Sequence, residues 1–511
     1  MSIDSSKFKK TKIIATIGPA SEEKLEELLK AGVNAVRLNF SHGSHSWHKA
    51  VIAKARQAAK KLDRSVAIIQ DLQGPKIRLG SLSQGGVELK AGQKIELCYH
   101  KNCKANHLPI QFDFSSLVKK GDRLFLRDGT IKAKILSASA GKVVAEIQNS
   151  GKVLSNHGIN LPDTVFDSKS IITPKDIKDL EFTYSNDIDY VALSFVQTAS
   201  DILHLKELLK KHKSPAKVIA KIETQVATHN LEEIIAVSDA VMIARGDLAI
   251  ETSNEEVPLI GRKIIMLARQ YKIPVIMATQ MLESMISSPQ PSRAEVNDIA
   301  SAVSLSVSCV MLSGETAMGQ YPVGTVELMK RVILKSEQYF LENRLEIDFV
   351  ADKRLDSAVL PVEFTEQIGL KSRFVTNTRK MLGHSFQAGK IASDEAQTSV
   401  SVAAITLAQQ VGASVILAET LSGSTALSIS SLRPPMPIII ASPSPRVCNQ
   451  MSIVWGGKSY LVSKKQHISA GIIKKLKNKK TLSEGDWVVQ VFGRNHSVAG
   501  GTDTVRLIEV K

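Results

Sequence analysis

Cysteine is scarce and scattered: Cys98, Cys103, Cys309 and Cys448 form no Cys-x-x-Cys pair and have no histidine at zinc-ligand spacing. Neither a disulfide framework nor a zinc site is expected, and the four read as reduced core thiols. No apolar run reaches the 18 or so residues of a membrane span, and Met1 to Lys12 is polar and basic without the apolar core of a secretory signal. A cytoplasmic protein with no membrane partner is the expectation. Walker-type and kinase-type Gly-rich loops are also missing, so any nucleotide has to be held by another arrangement. Acidic residues are outnumbered, 50 against 66 basic ones, for a net charge of +16 over 511 residues. Part of that surplus lies in one tract, where Lys464, Lys465, Lys474, Lys475, Lys477, Lys479 and Lys480 surround the apolar stripe Ile468, Ile472, Ile473 and Leu476. The tract reads as an amphipathic helix with a solvated basic face. Aromatic residues make up only 5% of the chain and do not interleave with these lysines. Nucleic acid is therefore not the expected partner, and anionic substrates or effectors account for the charge.

What is present is a repeated alternation of short apolar runs with helical patterns, the mark of successive β/α units. The strand-like runs are Lys12 to Ile17, Ala35 to Phe40, Val66 to Gln70, Tyr190 to Phe195, Val218 to Ile222, Ala240 to Ala244, Pro274 to Ala278 and Cys309 to Leu312. Helical patterns lie between them at Glu22 to Ala31, Lys49 to Leu62, Asp201 to Lys211, Val257 to Tyr271 and Arg293 to Val307, with a closing helix near Tyr321 to Gln338. Eight strands in this order predict an α/β fold, a closed (β/α)8 TIM barrel. The connection after the third strand is far too long for one helix. It carries period-two runs at Val87 to Leu89, Lys94 to Leu97, Arg123 to Leu126 and Lys142 to Ile147, broken by glycine turns, and predicts an all-β domain placed as a lid. Leu341 to Arg373 reads as a connector. Helices at Thr398 to Val411 and Thr425 to Leu432, with strands at Ser414 to Ala418, Pro437 to Ala441, Trp487 to Phe492 and Val505 to Val510, predict a C-terminal α/β domain. The expected boundaries are 1–75 with 171–345 for the barrel, 76–170 for a β-barrel lid and 346–511 for the C-terminal domain.

The chemistry sits at the strand ends, where barrels place their active sites. Lys221-Ile222-Glu223 and Ala244-Arg245-Gly246-Asp247-Leu248 end two apolar runs in charge. Glu223 and Asp247 are hard-oxygen donors suited to Mg2+ or Mn2+, and Lys221 would neutralise a transferring phosphoryl group. The amides of Gly246 and Asp247 could take a carboxylate. Arg37, Asn39 and Ser41 offer guanidinium, amide and hydroxyl groups to phosphate. Asp71-Leu72-Gln73-Gly74-Pro75-Lys76-Ile77-Arg78 turns into the lid, with Lys76 and Arg78 bringing positive charge over the mouth, while Thr279 and Ser313 supply hydroxyls at two further tips. His42, His45 and His48 lack carboxylate support and read as a helix start rather than a metal site.

Together these segments resemble the pyruvate kinase family. The resemblance rests on Thr16-Ile17-Gly18-Pro19-Ala20-Ser21, Arg37 to Gly43, Lys221 to Glu223, Ala244 to Leu248, Ala278 to Met285, Arg293-Ala294-Glu295 and Met311 to Ala317, in family order. It is strong over about residues 11–340 and weaker beyond. It implies phosphoryl transfer from phosphoenolpyruvate to ADP, with Glu223 and Asp247 holding Mg2+ and with Lys221, Arg37, Thr279, Ser313 and Glu315 as catalytic residues. Arg37, Lys221, Gly246, Asp247 and Thr279 would bind substrate, and Pro19, Asn39, His42 and Arg78 would line the nucleotide side. Many family members need K+ and carry an acidic residue where this chain has Lys76, so its ammonium would replace the ion beside a vestigial site of Asn39, Ser41, Asp71 and Leu72. The turn Thr420-Leu421-Ser422-Gly423-Ser424-Thr425 resembles the family's effector loop, with Thr420, Ser422, Gly423, Ser424 and Thr425 offered to a phosphorylated effector. A homotetramer is implied as well. Two other readings stand beside this one: a metal-dependent lyase or aldolase acting on an enolate, and a binding protein that kept the barrel without catalysis.

Overall fold

The computed structural model describes residues 8–83, 85–99, 107–127, 129–164, 171–343, 388–463, 468–493 and 501–511. Every one of the barrel runs is a strand: β1 (Lys12–Thr16), β2 (Ala35–Asn39), β3 (Ala67–Asp71), β4 (Tyr190–Leu193), β5 (Lys217–Ile222), β6 (Ala240–Ala244), β7 (Val275–Ala278) and β8 (Cys309–Leu312). They close into one parallel barrel in sequence order, with β8 paired to β1 through Lys12 and Cys309. Parallel strands are covered on both faces, which is why these runs are continuously apolar instead of alternating. One set of side chains, including Ile14, Ile69, Tyr190, Ile219, Met242 and Ile276, fills the barrel interior, and the other packs outward on the helices.

Helix starts depart from the sequence reading where a cap decides them. The helix expected from Lys49 begins at His45 (His45–Lys61), because the Ser44 hydroxyl accepts a hydrogen bond from the Trp47 amide at 3.2 Å. An unanticipated helix, Pro174–Ser185, leads into β4 and opens with a capping box of Thr173 and Asp176.

The insert after β3 is a seven-stranded sheet running from Ile77–Arg78 to Gly158–Asn160, together with a two-stranded ribbon, Val87–Leu89 with Gly151–Val153. Its edges curl until they meet, through a bridge between Leu79 and Ile110 and a hydrogen bond from the Gly80 amide to the Pro109 carbonyl at 2.7 Å. Phe114, Leu97, Leu124 and Val143 form its core. The expectation of four reduced cysteines fails here. Cys98, at the end of the strand Lys94–Cys98, is disulfide-bonded, whereas Cys309 and Cys448 are free and buried. Cys103 lies outside the described residues.

The C-terminal domain is a five-stranded sheet in the order Gly457–Leu461, Ile438–Ser442, Val415–Glu419, Trp487–Phe492, Thr504–Glu509, with only the last pair antiparallel. It docks on the face of the barrel opposite the mouth: Ile453 joins the interior side chains, and the Tyr190 hydroxyl donates to the Gln450 carbonyl at 2.8 Å. Within the basic tract the helix is Ile468–Asn478, and Lys464 and Lys465 lie outside the described residues. Its basic face is not wholly solvated, since Lys475 and Lys479 pair with Asp63 of the barrel at 3.0 and 2.8 Å. Most of the expected connector also lies outside the described residues; its first residues continue the helix Pro322–Asn343. No described helix is long and apolar enough to cross a membrane.

Candidate active site

Three strand ends, those of β2, β3 and β5, bring an ion cluster to the barrel mouth. Arg37, near the end of β2, donates from Nε to Asp71 Oδ2 at 2.6 Å and from Nη1 to the Thr16 hydroxyl at 3.0 Å. Asp71 ends β3 and is 1% exposed. Its other oxygen lies 3.3 Å from Lys221 Nζ, which also donates to the Ser194 hydroxyl at 2.6 Å and sits 3.3 Å from Glu223 Oε2. Burial works against the charge on Lys221, but the carboxylates of Asp71 and Glu223 outweigh it and hold the amine above the ordinary lysine range. Asp71 is likewise kept below the usual carboxylate range despite its burial, by Lys221 and Arg37. Glu223 differs. Burial pushes it up to about 7, against the pull of Lys221 and with the neighbouring charges of Asp247 and Asp71 adding to the rise. Its Oε1 accepts from the Phe195 amide at 3.0 Å, but Oε2 is buried and accepts no hydrogen bond.

Asp247 lies in the first turn of the short helix Arg245–Glu251 that follows β6 and is 30% exposed, with Lys76 Nζ 4.0 Å away. The Gly246 amide donates to the Thr279 hydroxyl at 2.9 Å, and that hydroxyl donates to the Ala278 carbonyl at 2.7 Å. Thr279 and Gln280, just past β7, both hold left-handed backbone, with φ of 67° and 53°. Such a strained pair needs outside support. Arg245 supplies it, donating to the carbonyls of Ala278, Thr279 and Gln280 while pairing with Asp298 at 2.6 Å. Gly246 therefore faces Thr279 with its amide, not open solvent.

The remaining candidates separate by depth. Glu315 is fully buried and spends its oxygens on backbone amides, Oε1 on Leu282 at 3.0 Å and Oε2 on Ser313 at 2.7 Å, which braces the loops after β7 and β8. Pro19 and His42 are exposed at the rim. The His42 carbonyl accepts from His48 Nε2 at 3.0 Å, and His48 stacks on Phe40. Asn39 accepts from the Ser41 amide at 3.1 Å, and Leu72 is buried. Arg78 belongs to the lid sheet, where it donates to the Asn156 carbonyl at 2.9 Å. Far from the mouth, Gly423 opens the helix Ser424–Ser431 in left-handed backbone, its amide on the Thr420 hydroxyl at 2.9 Å, and Thr425 is tied to Thr502 at 2.7 Å. Ser422 and Ser424 face each other at 3.2 Å on the exposed side of this turn. Arg245, Ser194, Thr16 and Phe195 had been given no role from sequence. Arg245 and Thr16 lie inside quoted motifs and Ser194-Phe195 ends a strand-like run, but only proximity in space shows what each does.

A charged mouth over a closed parallel barrel, beneath a β insert that leaves and re-enters beside it, defines a class of barrel enzymes acting on anionic substrates. Comparison with known proteins narrows the class. Residues 8–326 match the pyruvate kinase barrel domain and residues 398–508 the pyruvate kinase alpha/beta domain. The chain is similar to a pyruvate kinase of Agrobacterium vitis, 36% identical over 98% of both chains, and to one of Geobacillus stearothermophilus, 38% identical over 88% of this chain and 71% of the relative. A crystal structure of a pyruvate kinase from Cryptosporidium parvum superposes with a TM-score of 0.84 at 28% identity, covering 100% of this chain and 98% of that one. The chain belongs to the pyruvate kinase family and is a phosphotransferase enzyme.

Proposed function

We propose that the mouth transfers a phosphoryl group from phosphoenolpyruvate to ADP, with Glu223 and Asp247 holding Mg2+ or Mn2+. The observation that carries this reading is the Arg37, Asp71, Lys221 and Glu223 cluster, in which one buried Glu223 oxygen accepts no hydrogen bond and has the Lys221 ammonium 3.3 Å away. Among the described residues no group of three or more His, Cys, Asp or Glu side chains gathers around a point. Two carboxylates suit Mg2+, which keeps water and substrate oxygens for its other positions. When bound, the ion would polarise the phosphate oxygens and neutralise charge on them. Arg37 would orient the phosphate, and Lys221, kept charged by its carboxylate neighbours, would stabilise negative charge on the moving phosphoryl group. Thr279 would fix the substrate beside Gly246, and lid closure would exclude water from the transfer. A coupled assay for pyruvate and ATP tests the reading. Glu223→Ala and Asp247→Ala are each expected to lower kcat by about 100-fold or more, and native rates in either would end it.

Potassium is proposed to be dispensable, supported by the Lys76 ammonium 4.0 Å from Asp247. Turnover should survive replacement of K+ by an inert cation, and Lys76→Glu should create a potassium requirement. Collapse of wild-type turnover without K+ would refute this. Regulation through Ser422 and Ser424 is supported by their position at an exposed helix start. Sugar phosphates or nucleotides should then shift the substrate saturation curve, and Ser422→Ala with Ser424→Ala should abolish the shift.

A further inference from the structure

Where the chain leaves the barrel near Pro75 and returns near Ile159 to Thr164, the two crossings enclose a cavity of about 30 Å³ with Phe195 and Glu251 in its wall. Glu251 is 6% exposed and ends the helix that carries Asp247. Asp247 and Glu251 are four residues apart and share a helix face. One Glu251 oxygen accepts from Asn160 Nδ2 at 3.1 Å, and the carboxylate also accepts from the backbone amide of Gln225. Asn160, itself 6% exposed, ends the last lid strand, Gly158–Asn160. Gln225 lies two residues beyond Glu223, and its side chain takes a second lid contact, from Arg123 Nη2 at 2.6 Å, with Arg123 held by Asp163 at 2.6 Å. Beside Glu251, Ile250 packs so closely on the lid turn that a Cβ on Gly129 would lie 3.0 Å from it.

A single carboxylate thus joins three bodies: the lid, the segment that carries Glu223 and the helix that carries Asp247. Its hydrogen-bond donors are neutral amides, and burial of a carboxylate is costly without a cation against it. Glutamine would fill the space more cheaply but offers one acceptor oxygen where two N–H groups from different bodies converge. A carboxylate meets that convergence with two acceptor oxygens.

We propose that Glu251 is a positioning residue through which placement of the lid and placement of the metal-holding carboxylates are coupled. Substrate that draws the lid down then tightens the metal site, and metal favours the closed lid by the same factor. The inference rests on the reading of Glu223 and Asp247 as metal ligands. It is tested by Mn2+ titration of the full chain, followed by electron paramagnetic resonance, with and without phosphoenolpyruvate and with no ADP present. In the wild type phosphoenolpyruvate should tighten Mn2+ binding by about 5- to 150-fold, the usual span of such couplings. Asn160→Ala removes the lid donor without touching the mouth and should cut that ratio about tenfold or bring it to one, with little change in Mn2+ affinity alone. Glu251→Gln should act in the same direction, and Asn160→Gln, which keeps a donor amide, should recover part of the ratio. A merely structural Glu251 would lower the melting temperature and leave the ratio intact. An unchanged ratio in folded Asn160→Ala, or a ratio of one in the wild type, overturns the coupling; if Glu251→Gln does not fold, Asn160→Ala alone decides. Undiminished Mn2+ affinity in Asp247→Ala would instead defeat the metal-ligand reading.

Discussion

A lysine with 12% of its side chain exposed stays charged only if anions surround it, and Lys221 has Asp71 and Glu223 at 3.3 Å each. The dependence runs both ways. Lys221→Met would leave Glu223 buried beside Asp71 with no counter-cation, so a loss on the order of 3 kcal/mol of stability is expected from urea denaturation. Steady-state kinetics should show kcat reduced by about 100-fold or more, since charge on the phosphoryl group would lose its stabilising cation. Another buried carboxyl sets a pH dependence. Burial pushes Asp189 up to about 6, although Arg56 pairs with it at 2.7 Å. A raised value means the proton is held more tightly in the folded chain. The stability this contributes is full below about pH 4 and is lost as pH rises through about 6. Relative to Asp189→Asn, the wild type should therefore be more favoured at pH 4 than at pH 7, by on the order of 3 kcal/mol in denaturation measured at both. No difference between the two pH values would contradict the buried, weakly compensated state of this carboxyl.

At the scale of elements, the strands were legible because a parallel strand covered on both faces must be apolar throughout, and Ala240 to Ala244 was read to the residue. Helix starts were less so, since Ser44 and Thr173 act through a hydrogen bond that spacing alone does not reveal. The loops after β7 and β8 were legible as motifs but not as structure. Nothing in Thr279-Gln280 announces left-handed backbone in two successive side-chain-bearing residues; Arg245, 34 residues earlier, imposes it through the Thr279 carbonyl. Glu315 is the matching brace on the far side. Glu315→Ala would orphan the Leu282 and Ser313 amides, and a loss on the order of 3 kcal/mol is expected by thermal or urea unfolding. Catalysis should fall with it through misplacement of Thr279, and a variant with native stability would show that these amides find water instead.

Across the whole molecule, the C-terminal domain is tied to the barrel by contacts that no local pattern contains. Ile453 plugs the barrel interior from outside, and Arg433, 8% exposed, donates to the Ser306 carbonyl at 3.1 Å while lying 5.0 Å from the Trp455 ring centroid. Arg433→Ala should loosen this junction. Calorimetry is expected to show one cooperative transition in the wild type and two separated ones in the variant. A single unshifted transition would mean that apolar contacts alone hold the domains together. The basic tract belongs to this scale as well: its lysines were legible as charge, but their pairing with Asp63 depends on where the domain docks.

By itself the sequence determined the barrel, the lid insertion point and the chemical kinds of residue at the strand ends, because periodicity and strand-end polarity are local properties of the chain. It also carried the family, through motifs that are contiguous. Only the tertiary structure decided which of those residues meet: Arg37, Asp71, Lys221 and Glu223 converge from three strands spread over nearly 190 positions, and Asn160 reaches Glu251 from the lid sheet. Distances between strand tips depend on barrel closure, a property of all eight strands at once. No segment of the chain encodes it alone.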